Sequence, residues 1–370
     1  MDAGVRALPP YVLPAAEPED NPTTKEKVAL GRSLFYETRL SLGEQLSCAS
    51  CHEQASAFSL REATPRGATD EPTARDAQSL ANVAYAAYLT WSNLTFLSLE
   101  QQMLAPLFGD NPIELGAGVV PGDDNHYSTA RLEQLVRDEP RYAHAFEAAF
   151  PGRSEEQLLT WENAIAAIAC FERSLLSFGS AYDAYLSGDP DALDAAEERG
   201  RKLFFSNRLH CGECHAGPLL SLAFPVDGVR PTRAHAFRNT GLYNLEHGAV
   251  AYLSGESTRY PEPNIGIAEF SQVPADDGKF RIPSLRNVAL TAPYMHDGSV
   301  ETLSDVLTHY ARGGTRREEG QLRGDGREHP AKDPLVSGFE MTEDERADLL
   351  AFLDALTDPR LLRAEQLGPP

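Results

Sequence analysis

Apolar residues along this chain recur mostly at helical spacing, three and four positions apart, and strict alternation of the kind a strand needs is scarce. The pattern predicts a helix over about Lys25–Tyr36 and helical stretches over 95–105 and 129–137, broken by Pro106, Pro112 and Pro121. From Trp161 to Phe178, Ile165, Ile168, Leu175 and Leu176 fall on one face and read as core. A further helix is predicted over about Ala192–Phe205. The last opens on Thr342-Glu343-Asp344-Glu345, a capping box, and carries Leu349, Leu350, Phe352 and Leu353 on its buried face. Residues 61–78 and most of 216–285 are polar, rich in turn residues, and predicted to be loop. Residues 1–22, rich in Pro and acidic residues, read as an extended arm. The expected fold class is mainly α, with long loops.

Two units account for the length of 370 residues. Gly188-Asp189-Pro190 interrupts the helical pattern, so the arm 1–22 is followed by an N-terminal unit over 23–188 and a C-terminal unit over 189–370. A repeat supports the division. Gly31-Arg32-Ser33-Leu34-Phe35 leads through Arg39-Leu40 to Cys48-Ala49-Ser50-Cys51-His52. Gly200-Arg201-Lys202-Leu203-Phe204 leads through Arg208-Leu209 to Cys211-Gly212-Glu213-Cys214-His215. C-x-x-C-H is the attachment signature of a c-type heme: two thiols for thioethers and an adjacent His for the iron. A pair of disulfides or a split zinc site is the competing reading of the same residues. Each unit is therefore expected to be cytochrome c-like and to hold one covalent heme. The fifth cysteine, Cys170, lies in an apolar helical stretch and reads as a small buried hydrophobe.

The net charge is −22, from 55 acidic and 33 basic residues. Such a field repels phosphate backbones and argues against nucleic acid as a partner. No apolar run is long enough to span a membrane. The opening Met1-Asp2-Ala3-Gly4-Val5-Arg6 lacks a signal-peptide h-region. Covalent heme attachment nonetheless implies maturation outside the bacterial cytoplasm, so a periplasmic protein that has lost its signal peptide is expected.

His52 and His215 each fill one axial position, and the opposite position decides the chemistry: a strong ligand suits electron transfer, an open one peroxide or oxygen chemistry. On residue type alone, His235, His247, Met295, His296, His309, Tyr310 and Met341 are all eligible at the second heme. For the first heme, the segment between Glu53 and Asn125 contains no His. Met103, at helical spacing with Leu99 and Leu107, reads as core.

The two C-x-x-C-H motifs, the segment Ile282-Pro283-Ser284-Leu285-Arg286-Asn287-Val288-Ala289-Leu290-Thr291-Ala292-Pro293-Tyr294-Met295-His296-Asp297-Gly298 and the following Thr302–Tyr310 resemble the bacterial diheme cytochrome c peroxidase and MauG superfamily over nearly the whole chain. The resemblance implies that Tyr310 is the sixth ligand of the C-terminal heme, where the peroxidases have Met, and that the N-terminal heme is open and peroxidatic. It implies a distal wall of Gln102 and Pro106, with Glu114 as acid–base residue and Glu100 in reserve. Trp91 becomes a relay between the hemes, with Ser92-Asn93-Leu94 in place of the family's usual Asp-Gly-Arg. An inter-domain calcium would take the Asp76 side chain and the carbonyls of Thr291 and Pro293.

Ser79–Tyr85, Leu89-Thr90-Trp91, Ser98–Gln102 and Asn239–Asn244 look like the MbnH-type diheme enzymes paired with a copper-binding periplasmic protein. That likeness implies peroxide-driven oxidation, through a high-valent state shared by both hemes, of a partner tryptophan to kynurenine. The alternatives are a cytochrome c peroxidase that reduces hydrogen peroxide with electrons from a small cytochrome or cupredoxin, and a diheme electron carrier without catalysis.

Overall fold

The computed structural model describes residues 8–120, 122, 125–225, 228–246, 255 and 257–370; Met1–Arg6, Pro121 and His247 of the sequence reading lie outside them. Among the described residues the chain is helical and loop-rich. It holds two small antiparallel ladders, Phe237–Arg238 with Phe280–Arg281 and Arg316–Arg317 with Gly324–Asp325. No helix among them is long and apolar enough to cross a membrane.

Two helix crossings build the two main cores. Lys25–Phe35 starts where the Thr24 side chain accepts from Lys27 N, and it buries Leu30, Leu34 and Phe35. It crosses Trp161–Arg173, which Thr160 caps in the same way. In the second half, Ala195–Phe204 starts at Asp194, which forms a capping box with Glu197. It crosses Glu343–Asp354, started by the Thr342–Glu345 box the sequence predicts. The repeated glycine explains the closeness of both crossings. A Cβ on Gly31 would lie 1.9 Å from the Ala167 carbonyl oxygen, and one on Gly200 1.9 Å from that of Asp348.

The first apolar cluster runs from Leu30 to Leu175 and the second from Tyr182 to Leu356. A third joins Tyr88 and Phe178 to Leu219, Phe237 and Ile282, so apolar packing is continuous between the halves. The tail 359–370 returns to the first cluster through Leu361. There Arg32 Nε donates to the Gly368 carbonyl (2.6 Å) and the Tyr36 hydroxyl to that of Leu367 (2.8 Å). The N-terminal arm is docked as well, with the Tyr11 hydroxyl donating to Asp183 at 2.6 Å. Cys170 is fully buried, as expected.

The 95–105 stretch differs from expectation. It forms two segments, Leu99–Gln102 and Leu104–Phe108, that meet at Met103, and Pro106 lies inside the second instead of breaking it. Pro106 occupies the first turn, where no intrahelical partner awaits its missing N–H.

Gly31→Ala and Gly200→Ala are each expected to destabilise the protein by about 1–3 kcal/mol through overpacking, despite the better helix propensity of Ala. Thermal unfolding of the heme-loaded protein checks this; an unchanged or raised midpoint would show that the crossings can open at no cost.

Candidate functional site

Each C-x-x-C-H motif folds as one helical turn that presents the histidine. Cys48–Cys51 is started by a Ser47–Ser50 capping box, and His52 N donates to the Cys48 carbonyl at 3.0 Å. Cys211–Cys214 forms the same turn without a side-chain cap, starting from left-handed His210, and His215 N donates to the Cys211 carbonyl at 2.9 Å. Both imidazoles are anchored through Nδ1: His52 to the Phe58 carbonyl (3.0 Å) and His215 to that of Leu220 (2.9 Å). Phe58 and Leu220 both adopt left-handed backbone, φ 59° and 51°, which turns each carbonyl onto its ring. A ring that donates from Nδ1 keeps Nε2 as a metal ligand. Burial favours the neutral, ligating form of both: it lowers the His52 pKa and pushes that of His215 down to about 4.

Both motifs open onto one cavity of about 1300 Å³. That exceeds the roughly 300–1,000 Å³ of an ordinary small-molecule site and suits two macrocycles side by side. With two thiols and one anchored imidazole at each end, the residues fit two covalently attached hemes c. All five cysteines are free in the structure, so the four thiols of the two motifs are available for attachment.

The walls at the two ends differ. Near the first motif Gln102, Pro106 and Glu114 line the cavity; Met103, part of the core, also borders it. Burial raises the Glu114 pKa, with no cation to offset it. Glu100 does not line the cavity. It is ion-paired with Arg173 and accepts from Asn21 Nδ2 at 2.7 Å, and these contacts lower its pKa despite its burial. A second buried acid that the sequence reading missed, Glu172, does line the cavity. Burial pushes its pKa up to about 8, and its Oε2 has no partner.

At the second motif, three of the sequence-level ligand candidates border the cavity: Met295, His296 and Tyr310. The Tyr310 hydroxyl, raised by burial, also feels the Cys214 and Cys211 thiols, which places it beside that motif. His309 is turned away, with Nδ1 bonded to Thr315 Oγ1 at 2.8 Å; His235 is exposed, and Met341 packs against the second core.

Between the two ends lies a junction that a second repeat builds. Residues 78–91 align without a gap to 283–296, identical at six of fourteen positions, including Ser79/Ser284, Leu80/Leu285, Asn82/Asn287 and Val83/Val288. The signal was present in the sequence and the sequence reading missed it. Asn82 and Asn287 both take left-handed backbone, φ 60° and 61°, and each opens a short turn. The Gln78 carbonyl faces the His52 ring and the Pro283 carbonyl the His215 ring. The halves then exchange backbone hydrogen bonds: Asp76 N–H donates to the His296 carbonyl and Arg281 N–H to that of Trp91, both at 2.9 Å. Under the same register Asp76 corresponds to Arg281 and Trp91 to His296.

Trp91 Nε1 donates to the Asp76 carbonyl at 2.9 Å, which holds the indole at the junction. Asp76, Thr291 and Pro293 all line the cavity. Asp76 Oδ1 is buried without a partner, and burial reinforced by nearby Asp297 pushes the carboxyl pKa up to about 8. An orphaned buried carboxylate oxygen fits a hard cation. Among the described residues no cluster of three His, Cys, Asp or Glu side chains forms, so such a site rests on one carboxylate and carbonyl oxygens.

Residues 25–191 match the family described as di-haem cytochrome c peroxidase. Cytochrome-c peroxidase IdrP1 of Pseudomonas sp. (strain SCT) is 34% identical over 349 residues, 93% of this chain and 84% of that protein. Methylamine utilization protein MauG of Methylorubrum extorquens is 30% identical over 95% of this chain and 84% of its own. The crystal structure of a MauG-like protein associated with microbial copper homeostasis superposes with a TM-score of 0.90 at 42% identity, covering 100% of this chain and 99% of that one.

Proposed function

Because the chain belongs to the di-haem cytochrome c peroxidase and MauG family, we propose that it is a periplasmic enzyme that uses hydrogen peroxide to oxidise a tryptophan of a copper-binding partner protein to kynurenine. The observation that carries the reading is full-length likeness, at 42% identity, to a MauG-like protein tied to copper homeostasis. The unequal walls of the cavity support it. Held by Cys48, Cys51 and His52 at one end and Cys211, Cys214 and His215 at the other, two hemes would supply the capacity to store oxidising equivalents drawn from peroxide. Glu114 moves a proton between the two peroxide oxygens, while Gln102 and Pro106 shape the wall around them. Tyr310 closes the second site as a phenolate ligand, which disfavours the reduced metal that an electron-entry site needs. Trp91 relays charge between the halves, and a calcium ion held by Asp76, Thr291 and Pro293 fixes the junction. The overall reaction balances with two peroxides. Two oxygen atoms enter the indole as its C2–C3 bond breaks to the N-formyl product, two waters leave, and hydrolysis releases formate and kynurenine.

A second reading has its own support in the 34% identity to a cytochrome-c peroxidase: reduction of peroxide with electrons from a small cytochrome or cupredoxin. One experiment separates the two. Heme-loaded enzyme, peroxide and a small tryptophan-containing copper-binding protein offered as partner are combined, and that protein is mapped by mass spectrometry. Kynurenine at one tryptophan, with formate released, is expected. An unmodified partner beside brisk turnover of a reduced cytochrome would establish the peroxidase instead.

Glu114→Gln is expected to slow the reaction with peroxide by about 100- to 10,000-fold. The sign of the pH dependence follows from the raised carboxyl pKa. The basic carboxylate is lost as pH falls through that value, so the rate should climb with pH along a limb lying above the ordinary carboxylate range. Stopped-flow rates that keep this limb in the variant would move the acid–base role elsewhere.

Tyr310→Met exchanges a phenolate for a thioether, so the midpoint potential of the C-terminal heme is expected to rise. An unaltered potential and absorption spectrum would remove Tyr310 from the ligand set.

A further inference from the structure

The junction carries opposite charges at equivalent positions. Asp76 stands on one side of the exchange of backbone bonds and Arg281 on the other. The Arg281 residue is 8% exposed and borders the cavity. Its Nε donates to the Thr90 carbonyl at 3.2 Å and its Nη2 to Gln78 Oε1, both neutral acceptors, and no hydrogen bond engages Nη1 among the described residues. Other buried arginines are neutralised: Arg286 pairs with Asp183 and Arg173 with Glu100. Arg281 forms no ion pair among the described residues. A guanidinium keeps its proton under all ordinary conditions, and a buried charge without a counter-ion is rare because desolvation opposes it.

A second group at the junction is also unsatisfied. His296 is 4% exposed, borders the cavity, and its Nε2 is buried with no hydrogen-bond partner among the described residues, Asp297 Oδ2 standing off at 4.0 Å, beyond hydrogen-bond reach. Its ring stacks on Phe280, centroids 3.6 Å apart and planes 10° apart, so it is held beside the residue that precedes Arg281. A fixed cation with an open N–H and a neighbouring imidazole in its Nε2–H form together match a carboxylate, which accepts two such donors at once. The hemes that fit this cavity each carry two carboxylates at one edge.

We propose that Arg281 is the counter-ion of a heme carboxylate at the junction between the halves, with His296 Nε2 as its second donor. Arg281 is a positioning residue: its side chain fixes the cofactor edge and sets the local potential, while its backbone N–H holds the Trp91 carbonyl. The proposal rests on the family reading only for the presence of the hemes, so it stands or falls independently of the substrate.

The test is a potentiometric titration of the heme-loaded wild type, Arg281→Gln and Arg281→Lys across pH. In R281Q both hemes should remain covalently attached and at least one midpoint potential should fall, because a positive charge that favours the reduced metal is gone. That potential should also become pH-dependent over the mildly acidic to neutral range, because a carboxylate without its counter-ion takes up a proton more readily. R281K should recover most of the wild-type value. Wild-type potentials and pH profiles in an R281Q protein carrying both hemes would overturn the proposal. Should R281Q fail to accumulate, redox-difference infrared spectra of the unmodified protein decide. With the heme isotopically labelled at its side-chain carboxyls, which sets their bands apart from those of Asp76 and Glu172, a labelled carboxylate band that stays ionised at mildly acidic pH supports the pairing, and labelled carboxyls that respond to the redox change only in protonated form at neutral pH refute it.

Discussion

The structure depends on how two similar halves are held face to face around one cavity. The halves meet through the exchanged bonds Asp76 N–H to His296 and Arg281 N–H to Trp91, both at 2.9 Å. Asn82 and Asn287 extend the clasp by converging on one residue: Asn82 bonds the Ser177 backbone from both ends of its amide, and Asn287 Nδ2 donates to Ser177 Oγ at 2.9 Å. Asn82, Asn287 and Ser177 are almost wholly excluded from water, where an unmade hydrogen bond costs the full desolvation of its groups. Slippage by one residue would break several such bonds together. The clasp therefore fixes the Gln78 and Pro283 carbonyls, and with them the two imidazoles those carbonyls face.

On this near-symmetric frame the side chains have diverged. Equivalent positions hold Asp76 and Arg281, Trp91 and His296, Ala81 and Arg286. Each substitution changes chemistry while leaving the backbone pattern intact. Arg286 ties the second half to Asp183, which also receives the Tyr11 hydroxyl of the N-terminal arm, whereas Ala81 packs into the first core. The two ends of the cavity diverge in the same manner, with a half-buried acid, Glu114, near one motif and a half-buried phenol, Tyr310, beside the other. A near-symmetric backbone thus presents unequal side chains at the two ends of the cavity.

What the sequence made legible follows from the range of the interactions involved. Caps act within four residues, so Thr342–Glu345 and the starts of the main helices could be read directly. The C-x-x-C-H motifs are local for the same reason. The left-handed Phe58 and Leu220 that aim the carbonyls at the histidines have no such signature, because neither is a residue type that favours that backbone region. The junction repeat was legible in principle, but eight of its fourteen positions differ between the copies, including all four at the end. The isolation of Arg281 was not legible at all. Whether a charge is compensated depends on which carboxylates the rest of the chain brings near it, and 55 acidic residues gave no reason to expect none.

The choice between Glu100 and Glu114 shows why spacing alone left a doubt that packing removes. Both acids follow Trp91 in the sequence, and both are half-buried. Glu100 begins the Leu99–Gln102 segment and meets Arg173 from the crossing helix and Asn21 from the N-terminal arm. Held by a cation and an amide, it stays ionised and ties three parts of the chain together. Glu114 meets no cation among the described residues and lines the cavity, so burial alone acts on it and its proton is held more tightly. Two carboxylates on one stretch of chain are thus given opposite environments, which move their pKa values in opposite directions. The paired acid stabilises the wall that the unpaired acid needs in order to stand facing the cavity.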